Sequence, residues 1–272
     1  MKTLYVVAVL ISMSVVNTAI ADMILTAPPR ESVEAGKKVY GPLAEYLAQV
    51  TGKKIVYEHP KNWRNYTRNM KAGKYSITFD GPHFAAWRIN KGMDMPAMKL
   101  PGQLHFTLIT AAGRNDISKV DDLIGKTVCA MPSPNLATLT AYSMYPNPMQ
   151  QPQFTFIQSG GMKGIAKKFL AGGCDGAILR TGFMKKKLTD TQRSKMKVLG
   201  GKGVSTNQGI TVNKSVGDAV YKKIVAALSS NEGKQAMTPI INRFKKKGKF
   251  YTSDGKDYEG QNLLVDNMIF GW

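Results

Sequence analysis

Arg30, Asp80, His83 and Arg180 each stand at or just after a segment that reads as a β-strand. In an open α/β sheet, ligands bind beyond the carboxyl ends of the strands. Arg30 follows Met23–Ala27, Asp80 and His83 follow Ser76–Phe79 in the turn Asp80-Gly81-Pro82-His83, and Arg180 ends Cys174–Leu179. A guanidinium at Arg180 can grip an oxyanion in a two-pronged fork; the alternative is a surface salt bridge. The Asp80 carboxylate can accept from a ligand hydroxyl or ammonium, or it can cap a helix that has Pro82 in its first turn. His83 sits at the same helix start, where an imidazole can hydrogen-bond an anion or serve a structural role. If Arg30 and Arg180 lie on opposite lobes, one anion can hold the cleft between them shut. His59 and His105 have no partners at ligand-like spacing. No H-E-x-x-H, G-x-S-x-G, Walker loop or G-x-G-x-x-G occurs, so the residues call for binding without catalysis, cofactor or metal.

The elements that must position these residues alternate along the chain. A helix carrying Tyr40, Leu43, Leu47 and Val50 on one face stops at Gly52, and the strand Lys54–Tyr57, a short basic helix and the strand Ser76–Phe79 follow. Phe106–Ala111 reads as another strand. A second series then runs through the strand Thr127–Met131, a helix from about Ala137, the strand Phe154–Ile157, a helix from Met162 ending at Gly172-Gly173, the strand Cys174–Leu179, and Met196–Leu199. After Gly209–Val212 the pattern is helical over Val216–Leu228, Glu232–Phe244 (with a kink at Pro239) and Asn262–Phe270. Two α/β series joined by extended crossings predict two lobes. Residues 22–105 with 207–272 form the first and 106–206 the second. Crossing strands near Phe106–Ala111 and Val204–Val212 serve as hinges.

The chain opens with an export signal: Lys2, an apolar run from Leu4 to Val16, and an A-x-A site at Ala19-Ile20-Ala21. Cleavage there makes residues 1–21 a signal peptide and places the mature chain outside the cytoplasm, in the periplasm. The formal charge is +20, from 38 Lys and Arg against 18 Asp and Glu. Export argues against nucleic acid as the partner. The lysines are dispersed, with dense runs only at Lys185-Lys186-Lys187 and Lys245-Lys246-Lys247-Gly248-Lys249. They read as solvated lobe surface, with steering of an anionic ligand, docking onto an acidic partner or adaptation to an unusual medium as sharper readings. Cys129 and Cys174 lie on strands that can be neighbours, and an oxidising compartment permits a disulfide. The alternative is two small buried side chains.

Nearly all of the mature chain resembles the periplasmic binding proteins of phosphate, phosphite and phosphonate ABC transporters (PhnD-like). The resemblance rests on Tyr40-Gly41-Pro42-Leu43-Ala44-Glu45-Tyr46-Leu47 with Thr51-Gly52, on Asp80-Gly81-Pro82-His83-Phe84, and on Asp122-Leu123-Ile124-Gly125-Lys126-Thr127-Val128, in that order and spacing. It implies a type 2 periplasmic binding protein fold: two α/β lobes, each an open, mostly parallel sheet with flanking helices, joined by two hinge strands. It also implies a ligand-facing aromatic at Trp63. A further anion-holding turn is implied at Pro132-Ser133-Pro134-Asn135-Leu136-Ala137-Thr138, where Ser133, Asn135 and Thr138 can donate at a helix N-terminus. That turn lacks a glycine and one hydroxyl of the family pattern, Met162 stands near a common histidine position, and Arg180-Thr181-Gly182 lacks an acidic residue that would pair with an ammonium. The function implied is capture of a small oxyanion or zwitterion by a monomer that passes it to the membrane permease of an ABC importer. Two alternatives stand beside it. One is a sensor subunit for a membrane histidine kinase or chemoreceptor. The other is a cationic periplasmic interaction protein with a degenerate cleft.

Overall fold

The structure is a computed structural model, and it describes residues 22–204, 206–245 and 248–266. The expected export signal, and the end of the helix expected to reach Phe270, lie outside the described residues.

Strand β1 (Met23–Thr26) is followed by helix α1 (Val33–Thr51), β2 (Ile55–Tyr57), α2 (Trp63–Lys71), β3 (Ile77–Asp80), α3 (Pro82–Asn90) and β4 (Asp94–Lys99). Helix α1 begins earlier than the apolar spacing suggested because the Ser32 hydroxyl caps it, accepting from the Ala35 N–H at 3.3 Å. It ends where Gly52 takes the left-handed conformation, φ 66°, which glycine adopts without a Cβ penalty. Tyr40, Leu43 and Leu47 face the core, whereas Val50, expected beside them, is exposed.

The chain then builds a second sheet from β5 (Leu104–Ala111), β6 (Thr127–Ala130), α4 (Leu136–Tyr142), β7 (Gln153–Phe156), α5 (Gly161–Leu170), β8 (Gly176–Arg180), α6 (Thr181–Lys187), α7 (Asp190–Ser194) and β9 (Met196–Val204). It returns to the first sheet with β10 (Gly209–Asn213), α8 (Asp218–Ser229), α9 (Asn231–Ala236), α10 (Thr238–Lys245), β11 (Tyr251–Thr252) and α11 (Leu263–Asp266). The helix expected over Glu232–Phe244 with a kink at Pro239 is two helices, divided at Met237, the C-cap of α9.

The first sheet has the order β11-β4-β10-β3-β1-β2 and the second β7-β6-β8-β5-β9. Each is mixed: β1, β2 and β3 run parallel, as do β6, β7 and β8, while the remaining pairings are antiparallel. The antiparallel strands include those on which the chain leaves or enters a sheet: β4 and β5 at the first crossing, β9 and β10 at the second. The crossings run side by side. Leu100 N–H donates to the Gln208 carbonyl at 2.8 Å, and Asn207 Nδ2 donates to the Pro101 carbonyl at 3.0 Å. One buried cluster joins Leu25, Tyr40, Leu43, Phe79, Ile210 and Ile224. Another runs from Tyr66 and Phe84 beside the first sheet to Leu108 and Val128 of the second and Leu139 of α4, and takes in Leu264 and Val265 of α11. Among the described residues no helix is long and apolar enough to cross a membrane.

Cys129 of β6 and Cys174, just before β8, form a disulfide with Cα atoms 5.7 Å apart. It clamps neighbouring parallel strands two residues before Met131. The bridge closes a loop of sequence separation 45, for which loop-closure entropy gives about 4 kcal/mol. The double variant Cys129→Ala/Cys174→Ala should lose stability of that order in urea unfolding; an unchanged midpoint would show that the cross-link contributes nothing.

Candidate functional site

The turn after β3 is fixed by a buried ion-pair network. Arg88 of α3 donates to Asp80 at 2.8 and 3.3 Å through its two terminal nitrogens and to Asp94 at 2.6 Å through Nε. Tyr66 donates to Asp80, Thr211 donates to Asp94 at 2.6 Å, and Asn213 Nδ2 donates to the other Asp94 oxygen at 3.1 Å. Asp80 and Arg88 have side-chain exposures of 0% and 2%. Burial alone would lower the Arg88 guanidinium, but Asp80 and Asp94 outweigh it and hold it above its ordinary value. Burial, reinforced by Asp80, keeps the Tyr66 phenol protonated well above the usual range.

Both sequence readings of Asp80 are therefore corrected. It neither faces a ligand nor caps α3, because both of its oxygens are taken by Arg88 and Tyr66. The N-cap is Gly81, with no side-chain cap bond, and Pro82 starts the helix. Gly81 is required by close approach: a Cβ there would lie 2.7 Å from His83 Cε1.

Beyond this turn a cavity of about 390 Å³ opens between the sheets, at the carboxyl ends of β3, β6 and β8. Of the sequence candidates, Arg30, Trp63, His83, Asn135 and Arg180 line it; Asp80, Ser133 and Thr138 do not. Thr138 is fully buried and donates to the Met131 carbonyl at 2.6 Å, so its hydroxyl shapes the turn after β6. The Asn135 side chain caps α4, accepting from Ala137 N–H at 3.0 Å. The Ser133 hydroxyl is buried without a hydrogen-bond partner. Trp63 is the first residue of α2, its ring stacked on Phe84 at 6.3 Å.

Residues that sequence reasoning did not assign to the site complete the wall. Arg243 and Phe244 come from α10, Met131 follows β6, Phe183 lies on α6, and Gln208 lies in the second crossing. Arg30 and Arg243 both approach the Phe244 ring, at 5.9 and 5.1 Å from its centroid, a favourable cation–π placement. Arg243 is paired with Glu31 at 3.0 Å. Among the described residues neither Arg30 nor Arg180 has an acidic partner, and Arg30 Nη1 is buried without a hydrogen bond.

His83 is 2% exposed, and its Nε2 lies 3.3 Å from the Pro134 carbonyl, a contact that links the two sheets. A carbonyl only accepts, so Nε2 carries the proton and Nδ1 is the lone pair. Burial, then the charge of Arg30 and, more weakly, that of Arg88, push the imidazole down to about 3, which favours the neutral ring. No cluster of metal-ligating side chains occurs among the described residues.

A family profile described as "ABC transporter, phosphonate, periplasmic substrate-binding protein" matches residues 25–258. The chain belongs to this family. Its members are substrate-binding components of transporters and work with ABC permeases. No curated protein sequence matches the chain. Among solved structures it is similar to XAC2383 from Xanthomonas citri bound to ATP, with 11% identity, TM-score 0.70, and 90% of this chain and 95% of that chain covered. It is also similar to PhnD1 from Prochlorococcus marinus in complex with methylphosphonate, at 10% identity and TM-score 0.62 over 90% and 97% of the two chains. A binding-protein component of an ABC phosphonate transporter from Pseudomonas aeruginosa matches at 15% identity and TM-score 0.56 over 90% and 84%. These likenesses show the two-lobed type 2 periplasmic binding protein fold.

Two measurements test how this phosphonate-family site is built. Arg88→Ala leaves two buried carboxylates without their cation and should cost about 3–5 kcal/mol in urea unfolding; a loss under about 1 kcal/mol would remove the network from its structural role. His83 has a folded-state value far below its ordinary one, so between pH 6.5 and about 3 the unfolded chain binds a proton that the folded chain refuses. Stability therefore falls as pH drops through that window, at up to about 1.4 kcal/mol per unit from this group. His83→Gln should flatten that acid slope; an unchanged slope would show that His83 is protonated in the fold.

Proposed function

We propose that this protein is a periplasmic receptor that binds a small oxyanion of the phosphonate, phosphite or phosphate class in the cleft between its lobes and delivers it to an ABC permease. The observation that carries the reading is the placement of Arg30 and Arg180. They come from opposite sheets, at the carboxyl ends of parallel strands, and face one cavity with no acidic partner among the described residues. A guanidinium without a counter-ion at a cleft wall is a fork for an oxyanion, and an anion that spans both lobes favours the closed arrangement. His83 and Asn135 edge the same space. The lobes are residues 22–105 with 207–272 and residues 106–206, and the paired crossings are the hinge about which they close. The family membership supports the transport role; methylphosphonate bound by the Prochlorococcus relative supports the ligand class. The chain acts as a monomer, without catalytic chemistry.

Calorimetric titration of the mature chain with methylphosphonate, phosphite and phosphate tests the reading. Charge-assisted contacts contribute about 1.5–3 kcal/mol each. Arg30→Ala and Arg180→Ala should therefore each weaken binding about ten-fold or more, and the double variant should abolish it. Unchanged affinity in the double variant would overturn the assignment.

A further inference from the structure

Only part of the cavity wall suits a bare oxyanion. Trp63 and Phe244 on the first lobe, and Met131, Met162 and Phe183 on the second, line the same space while remaining partly exposed. Its volume of about 390 Å³ falls in the range of about 300–1,000 Å³ typical of clefts that enclose organic ligands. A methylphosphonate fills a small fraction of it and leaves the aromatic and thioether walls wet.

The charge pattern is equally selective. None of the described residues lining the cavity is acidic. Glu31, next to Arg30 in the chain, is committed to Arg243 at 3.0 Å and has a side-chain exposure of 7%. A ligand ammonium would find no counter-charge in the wall and would face three arginines. Arg30 and Arg180, both without acidic partners among the described residues, match the two negative charges of a phosphonate or phosphomonoester head.

We propose that the site selects a phosphonate or phosphate monoester bearing a bulky, uncharged apolar group of about the size of an aromatic ring, and discriminates against aminoalkyl phosphonates. The head lies between Arg30 and Arg180, and the apolar group lies between Trp63 and Phe244 on one side and Met162 and Phe183 on the other. This inference rests on the receptor reading above and adds the substrate class to it.

Calorimetry on the mature wild-type chain with phenylphosphonate, methylphosphonate and 2-aminoethylphosphonate tests the substrate class. Phenylphosphonate should bind about ten-fold or more tightly than methylphosphonate, from burial of the ring surface, and 2-aminoethylphosphonate should be the weakest. Met162→Ala/Phe183→Ala, checked for an unchanged thermal transition, should weaken phenylphosphonate binding several-fold more than methylphosphonate binding and so remove most of the preference for the phenyl compound. If methylphosphonate binds as tightly as phenylphosphonate, or the amino compound matches it, the substrate class is wrong and the receptor reading stands. If none of the three binds, both fail. Should the variant not fold, the wild-type series by itself still separates these outcomes.

Discussion

A single guanidinium, that of Arg88, holds the first lobe's cavity-facing end in place. Two carboxylates and one guanidinium buried together would be ruinous alone, because each ion loses its hydration. The arrangement is tolerable because the remaining oxygen lone pairs are met by Tyr66, Thr211 and Asn213. Those donors come from α2 and β10, the carboxylates from β3 and β4, and the arginine from α3. Five elements are thus pinned at one point. The consequence reaches the cavity: next to the immobilised Asp80, Gly81 packs closely against the His83 ring, and the imidazole is placed where it meets Pro134 across the cleft.

The charges that count in the cleft are local. The chain as a whole carries +20, but at physiological ionic strength a surface charge is largely screened beyond about 8 Å. For the anion proposed above, dispersed lysines would therefore raise the encounter rate without setting the affinity. Affinity depends on which cation is left without a partner. Of the three arginines in the wall, Glu31 neutralises Arg243, and the Phe244 ring lies between Arg243 and Arg30. The pairing leaves Arg30 and Arg180, one from each lobe, as the wall's arginines without an acidic partner among the described residues.

Much of the fold was legible because its cues are local. The apolar spacing and glycine stop of α1, the βα alternation, and the two crossings all follow from patterns within a few residues. Strand β4 escaped, since Asp94-Met95-Pro96 has little strand character; Pro96 offers no N–H, and the pairing with β10 shifts register where it sits. The site was legible only in part. Arg30, His83 and Arg180 could be placed beside the cavity because strand and helix ends mark them, and Trp63 and Asn135 because the family resemblance implied them. Asp80 was misread because its partners, fourteen residues back at Tyr66 and eight ahead at Arg88, are set by tertiary packing that no local pattern records. Arg243 and Phe244 carried no signal at all. They look like an ordinary polar helix end until the returning chain lays α10 against the first sheet.

The energetics of closure follow from how little polar contact the lobes share at the cleft. The His83–Pro134 bond, at 3.3 Å, is neutral and long, and bonds of this kind contribute at most about 1 kcal/mol. The apolar cluster joining Tyr66 and Phe84 to Leu108 and Val128 is continuous and takes in Leu104, Phe106 and Leu136 of the cavity wall, and separating it would expose apolar surface at about 25 cal/mol per Å². On the proposed reading, opening about the paired crossings would break little polar contact at His83 but would expose apolar wall. On that reading, a ligand held by two charge-assisted forks would outweigh the neutral His83–Pro134 bond by several fold in free energy. The anion, rather than the His83–Pro134 contact, would then decide whether the cleft is shut.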